Sequence, residues 1–330
     1  MRPRLTAKLI AGLVVAAATL VLPQFLTDAQ LSIYIFIGLA AMVVAGLSLL
    51  MGFAGQVSLG QASFYAIGAY AAGILARDGL PTLAGLAAAP LAAAAVATVI
   101  GIPLLRLRGH YLAFATLAFQ LIVLEIAGEA KALTGGDIGL SGIPPLSLPG
   151  LELDTAIQYA YVTWIATAVV LLVASNVVRS RPGRALRALA TSEAAAAACG
   201  VPVGRYKLQV FALSAGFAGL AGGIYGFFLG FIAPSSFPVL LSIQFLVMAV
   251  VGGLGATWGS LVGVAAITLL VQVLQFAGTR PGMPIHAPAV LSYGVYALVL
   301  VMVMLFLPQG LLPALHKAGG GWLRMSKGGR

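Results

Sequence analysis

Few residues in this chain could make or break bonds, and their spacing removes most of that chemistry. His110, His286 and His316 lie far apart and form no His-Glu-x-x-His run, so no zinc-protease helix is encoded. Ser58 sits among glycines without the Gly-x-Ser-x-Gly spacing of a nucleophile elbow and reads as a small packed hydroxyl. No glycine loop runs into a lysine followed by Ser or Thr, so this chain is not expected to hydrolyse ATP. No cofactor, metal site or catalytic pair is expected on it. What remains inside the apolar stretches is mainly uncharged. Gln56, Ser58, Gln61 and Ser63 fall within the glycine-rich run from Gly52 to Ser63. Such amides and hydroxyls can hydrogen-bond a passing ammonium or carboxylate without holding it tightly, which is what conduction requires. Glu125 is the one acid inside a predicted span, near its end, where its carboxylate can reach the interface or face a polar pathway.

The elements that must position these side chains are membrane helices. Hydrophobic residues make up 61% of the 330 residues and charged residues 8%, a composition that excludes an ordinary soluble domain. Spans are predicted near 8–22, 31–51, 60–76, 83–105, 110–128, 157–178, 208–230, 239–252, 254–276 and 289–307, giving an all-α polytopic membrane protein of about ten helices in one domain. The first and eighth are short for a full crossing. Ten crossings place both termini on one side. With that side cytoplasmic, fifteen of the eighteen basic residues fall inside and only Arg77, Lys131 and Arg280 outside. The net charge of +10 is accounted for by this orientation and by anionic lipid, so nucleic acid is not an expected partner. The stretch after Arg2, Arg4 and Lys8 shows no small-x-small cleavage site beyond Leu22, and a retained first span is expected. Cys199, the single cysteine, is expected to be a buried or inert thiol on the inner side.

Two interruptions are long. The outer one, residues 129–156, contains Thr134, Gly135, Gly136 and Asp137, followed by Pro144, Pro145 and Pro149. It reads either as a plain glycine-rich connection or as a docking or gating loop at the mouth of a pathway. The inner one, residues 179–207, has Arg181-Pro182-Gly183 as a helix breaker, then an Ala-rich helix from Arg184 to Cys199, then a second break at Gly200-Val201-Pro202. Thr191 or Ser192 capping a helix, with Glu193 in its first turn, is the alternative. The segment is a docking element or an amphipathic helix held on the lipid surface by Arg184 and Arg187. Residues 309–330 form a basic tail. Gly216, Gly219, Gly222, Gly223 and Gly226 fit close helix packing, and the texture of Gly252 to Ser260 resembles a faint repeat of Gly52 to Ser63.

Three of these stretches together resemble one family. Gly55-Gln56-Val57-Ser58-Leu59-Gly60-Gln61, the Thr-Gly-Gly loop from Leu133 to Pro144, and Arg181 to Ala188 followed by Arg205-Tyr206-Lys207 are similar to the M-type permease subunits of bacterial branched-chain amino-acid ABC importers. The resemblance implies a type II importer fold, location in the bacterial inner membrane, and transport of branched-chain or related amino acids. It implies as partners a paralogous permease, two ATPase chains that use the ATP, a periplasmic solute-binding protein and the bilayer. It assigns Glu193-Ala194-Ala195 ahead of Gly200 to a short helix inserted in a groove on the ATPase, with Arg184 and Arg187 beside it. In this chain that glycine arrives one residue later than in the commonest form, and no Leu-Pro ending follows. By the same resemblance Gln56, Ser58, Gln61 and Ser63 line the pathway. An ion-coupled secondary transporter of amino-acid-like or amide solutes is the rival reading; it would need protonatable groups near the midplane, and only Glu125 is offered.

Overall fold

The computed structural model describes residues 22–278 apart from Arg108, Pro149, Gly150, Ala256 and Thr257, and beyond them only Gly294 and Leu298. All but two residues of the predicted span at 289–307, nearly all of that at 8–22, and the basic tail 309–330 therefore lie outside the described residues.

The main helices are α1 (Asp28–Ser48, continued as a π turn, Leu49–Phe53), α2 (Gln61–Arg77), α3 (Thr82–Leu104), α4 (His110–Glu129) and α5 (Ala156–Arg179). They are followed by α6 (Arg181–Thr191), α7 (Glu193–Ala198), α8 (Val203–Leu229), α9 (Val239–Gly252) and α10 (Gly259–Gly278). Local chemistry sets the ends. Capping boxes of Thr27 with Gln30 and Thr155 with Gln158 start α1 and α5, and Gly230 in the left-handed region closes α8. Among the described residues six helices are long and apolar enough to cross a membrane: α1 with its π turn, α3, α4, α5, α8, and α9 with the turn before it.

Two of these form the centre. Within their most apolar membrane-length windows, 78% of α1 and 72% of α8 is buried, against 22% of α3. α8 is the axis of a tightly packed trio. A Cβ on Gly68 would fall on the Gly219 carbonyl, and one on Gly222 on the carbonyl of Tyr65, so backbone meets backbone between α2 and α8. From Gln61 beside Ser214, through Gly68 beside Gly219, to Ala72 beside Gly223, positions rise together along the two helices, which therefore run parallel. α3 runs antiparallel to α8, with Gly101 beside Leu208 and Phe211 at one end and Gly85 beside Phe227 at the other. The expectation that the α8 glycines serve packing is met at Gly219 and Gly222.

Three local details differ from the sequence reading. The break predicted at Arg181-Pro182-Gly183 falls one residue earlier, at the extended Ser180, and those three residues, expected outside the helix that follows, form the first turn of α6, where proline's missing N–H leaves nothing unpaired. The Ala-rich helix is two helices, because Ser192 leaves helical geometry and its Oγ caps α7 by accepting from Ala195 N (3.3 Å). This is the alternative that the Ser-Glu pair offered. Cys199 is exposed, not buried, since it sits at the free C-terminal end of α7.

Candidate functional site

Between α1 and α2 the chain abandons helix inside the bundle. Gln56 N donates to the Leu50 carbonyl (3.1 Å), ending α1, and residues 55–60 run on without helical structure. Gly55, at φ +66°, lies against Ala190 of α6, whereas Gln61 lies beside Ser214, eleven residues into α8. At about 1.5 Å per helical residue, α2 therefore begins about 16 Å along its parallel neighbour, roughly halfway. Non-helical backbone at that depth must be satisfied by protein. Three other spans, α4, α8 and α9, supply partners. Leu59 N donates to Thr116 Oγ1 of α4 (2.9 Å), and Ala62 N, in the first turn of α2, donates to Ser242 Oγ of α9 (2.9 Å). Ser242 Oγ in turn donates to Gln120 Oε1 (2.6 Å), whose amide nitrogen reaches the carbonyls of Phe237 and Pro238, each at 3.3 Å. Gln61 Nε2 donates to Ser214 Oγ of α8 (3.1 Å). A Cβ on Gly60 would meet the Thr116 carbonyl at 2.5 Å, which explains the glycine there.

All four sequence-predicted side chains are buried in this joint. Ser63 Oγ donates to Gly60 O (2.6 Å), and Ser58 Oγ accepts from Gly60 N (3.4 Å), so both hydroxyls shape the bend. The amides are less fully used. Both side-chain polar atoms of Gln56 and Oε1 of Gln61 have no hydrogen-bond partner among the described residues. Buried amide atoms left unpaired are unfavourable by about 1–3 kcal/mol each, so they mark a place where a polar visitor or water would be accepted.

At the end of the bundle where α5 meets α6, α6 and α7 form an elbow. Leu186 and Leu189 are buried, while Arg184 and Arg187 are exposed on the opposite side. α7 exposes Ala194 and Ala195 and buries Ala196; Gly200, at φ +79°, turns the chain toward α8. Glu193 forms an ion pair with Lys207 of α8, a lysine only 6% exposed.

At the opposite end the glycine-rich loop is a packed cap. Thr134 Oγ1 reaches the carbonyls of Ala127 (2.6 Å) and Ala130 (2.8 Å), and Gly135 and Gly136 follow in the left-handed region. Strand β1 (Leu140–Ser141) pairs antiparallel with Phe231–Ile232, and Tyr159 Oη ties Leu146 N to the Phe227 carbonyl. Asp137 and Ile138 stand exposed at its tip.

Residues 29–304 match the family model described as branched-chain amino acid transport system / permease component. The chain belongs to this family. It is 34% identical to the high-affinity branched-chain amino acid transport system permease protein LivM of Escherichia coli over 305 residues, covering 85% of this chain and 68% of the relative. The Salmonella typhimurium LivM matches to the same extent, and a probable branched-chain amino acid transport permease protein LivM of Methanocaldococcus jannaschii is 23% identical over 66% of this chain and 64% of its own length. No solved structure matches the chain significantly. The protein is thus an integral membrane permease, and its relatives are transport subunits, not enzymes.

In this permease Glu125 stands apart from the joint. It projects from the exposed face of α4, with Leu121, Ile122 and Ile126 exposed around it. None of the joint's predicted residues lines the cavity of ≈ 420 Å³ between α1, α2, α8, α9 and α10, whose polar wall includes Tyr225, Gln244 and Gln272. Sequence reasoning missed Thr116, Gln120, Lys207, Ser214 and Ser242. For all but Lys207 the only signal was a polar residue standing in an apolar run, with partners 57–180 positions away; Lys207 follows Arg205-Tyr206 in a basic segment, and nothing there singles it out for Glu193.

Proposed function

We propose that the permease forms half of the translocation pathway of an ATP-driven importer for branched-chain or closely related amino acids, in a bacterial inner membrane. The observation that carries this reading is the family match over residues 29–304, which spans both the mid-depth joint and the exposed elbow. The chain crosses ten times with both termini cytoplasmic, as its basic residues favour. A paralogous permease completes the pathway, two separate ATPase chains supply and use the ATP, and a periplasmic binding protein delivers the solute. The elbow, with Arg184, Arg187, Ala194, Ala195 and Gly200 on or near its surface, docks on the ATPase as a helix in a groove. The outer cap, with Thr134 to Asp137, receives the binding protein. Of the pathway candidates, Gln56 and Gln61, with their unpaired amide atoms, and Glu125, on an open helix face, meet the solute; Ser58 and Ser63 hold the bend that presents them.

Purification of this chain by its own tag after co-expression with the other three kinds of subunit tests the assembly. The expected result is recovery of all membrane and ATPase chains, with ATP hydrolysis raised by binding protein loaded with leucine, isoleucine or valine. Recovery without any ATPase chain, or hydrolysis indifferent to loaded binding protein, contradicts the reading.

A further inference from the structure

We propose that Lys207 and Glu193 form the strut through which the elbow moves the membrane helices, making Lys207 a positioning residue for transport. The inference rests on the elbow being the ATPase docking element. α7 is six residues long, and apart from Glu193 it carries only methyl side chains, of which Ala196 alone is buried. Methyl groups on a single turn and a half cannot fix the direction in which one helix drags another. The backbone link through Gly200 is a turn, with Gly200 N on the Ala197 carbonyl (2.9 Å) and Val201 N on that of Ala196 (3.1 Å). Glu193 lies at the far end of α7 from that link, fourteen positions before Lys207, so the ion pair closes a ring of α7, turn and the start of α8. A closed ring transmits a push that an open hinge would absorb. Lys207 is buried, and a buried ammonium stands only where a partner neutralises it, so the pair is held together by desolvation as well as charge.

What lies beyond Lys207 gives the strut its purpose. Ser214 is seven residues on, two turns along the same face of α8, and it accepts from Gln61 at the start of α2. Gly46 of α1 lies against the Ser214 backbone, where an added Cβ would sit 3.0 Å from its Cα. A displacement of α7 therefore reaches the joint, and the unpaired amides in it, through one rigid helix.

The test is a charge-reversal cycle in the assembled complex in proteoliposomes: Glu193→Lys, Lys207→Glu and the double variant, each scored for ATPase co-purification and for solute taken up per ATP hydrolysed. Each single variant is expected to keep the ATPase bound while uptake per ATP falls about tenfold, and the double variant to recover most of the loss. A neutral pair, Glu193→Gln with Lys207→Met, guards against misfolding: it removes the buried ammonium together with its half-exposed partner charge, so it is expected to keep its melting temperature yet lose coupling. Full coupling in the neutral pair, or singles that transport normally, overturns the strut. So does loss of ATPase binding in Glu193→Lys that the double variant fails to rescue, which would make Glu193 an ATPase contact and leave the docking reading intact. Absence of ATPase from the unaltered complex would defeat both.

Discussion

α8 and α4 are both long enough to cross a bilayer, yet they are built on opposite plans. α8 meets its neighbours through glycine, backbone against backbone, with 72% of its membrane-length window buried; α4 buries only 33% of its own and meets the rest of the chain along one narrow face, where Phe119 packs near Phe64 and Thr116 and Gln120 supply hydrogen bonds. Close packing leaves α8 no room to shift relative to α2 and α3. Hydrogen bonds at a joint can be exchanged one for another. α8 thus belongs to the rigid part of the permease, whereas α4 leaves its outer face, with Glu125 on it, exposed.

The largest expected effect comes from breaking the rigid side. Gly222→Leu drives a side chain into the Tyr65 carbonyl and should destabilise the protein by about 3 kcal/mol or more, or prevent folding, as read by thermal loss of the monodisperse peak in detergent. The same leucine at Ala118 on the exposed face of α4 should leave that melt unchanged. Next is the joint. Gln120→Leu strands Ser242 and two carbonyls, and about 2–3 kcal/mol of stability should be lost in the same assay. Glu125→Gln sharpens the contrast, because stability should stay within about 0.5 kcal/mol while uptake by the complex falls several-fold. An unchanged uptake rate would place Glu125 outside the pathway. Smallest is Ile126→Ala, on the exposed side of α4, which should shift the isolated chain's stability by no more than about 0.5 kcal/mol.

Much of the bundle could be read before any fold was known. Apolar length placed the described helices to within a few residues, since burial in lipid demands continuous hydrophobic runs. The depth at which α2 begins was not readable. Hydropathy measures how long a run is, not which turn of a parallel neighbour it starts beside, and that came only from Gln61 meeting Ser214 across 153 positions. Ser192 was legible because a cap is local chemistry, a hydroxyl followed by an acid in the first turn. Lys207 was read as an orientation charge and as part of a family-like stretch, but its pairing was not legible, because nothing local says that a lysine near a helix start is turned inward onto Glu193. Gln56 and Gln61 stood out in the sequence as polar groups within apolar surroundings, and both are buried in the joint. That the neighbouring Ser58 and Ser63 spend their hydroxyls on Gly60 depends on the bend itself.

Uptake into proteoliposomes addresses the importer assignment most directly. The full complex, with ATP on the side of the elbow and loaded binding protein on the other, should accumulate branched-chain amino acid, and omitting either should abolish it. Accumulation by this chain alone, driven by a proton or sodium gradient without ATP, would contradict the account.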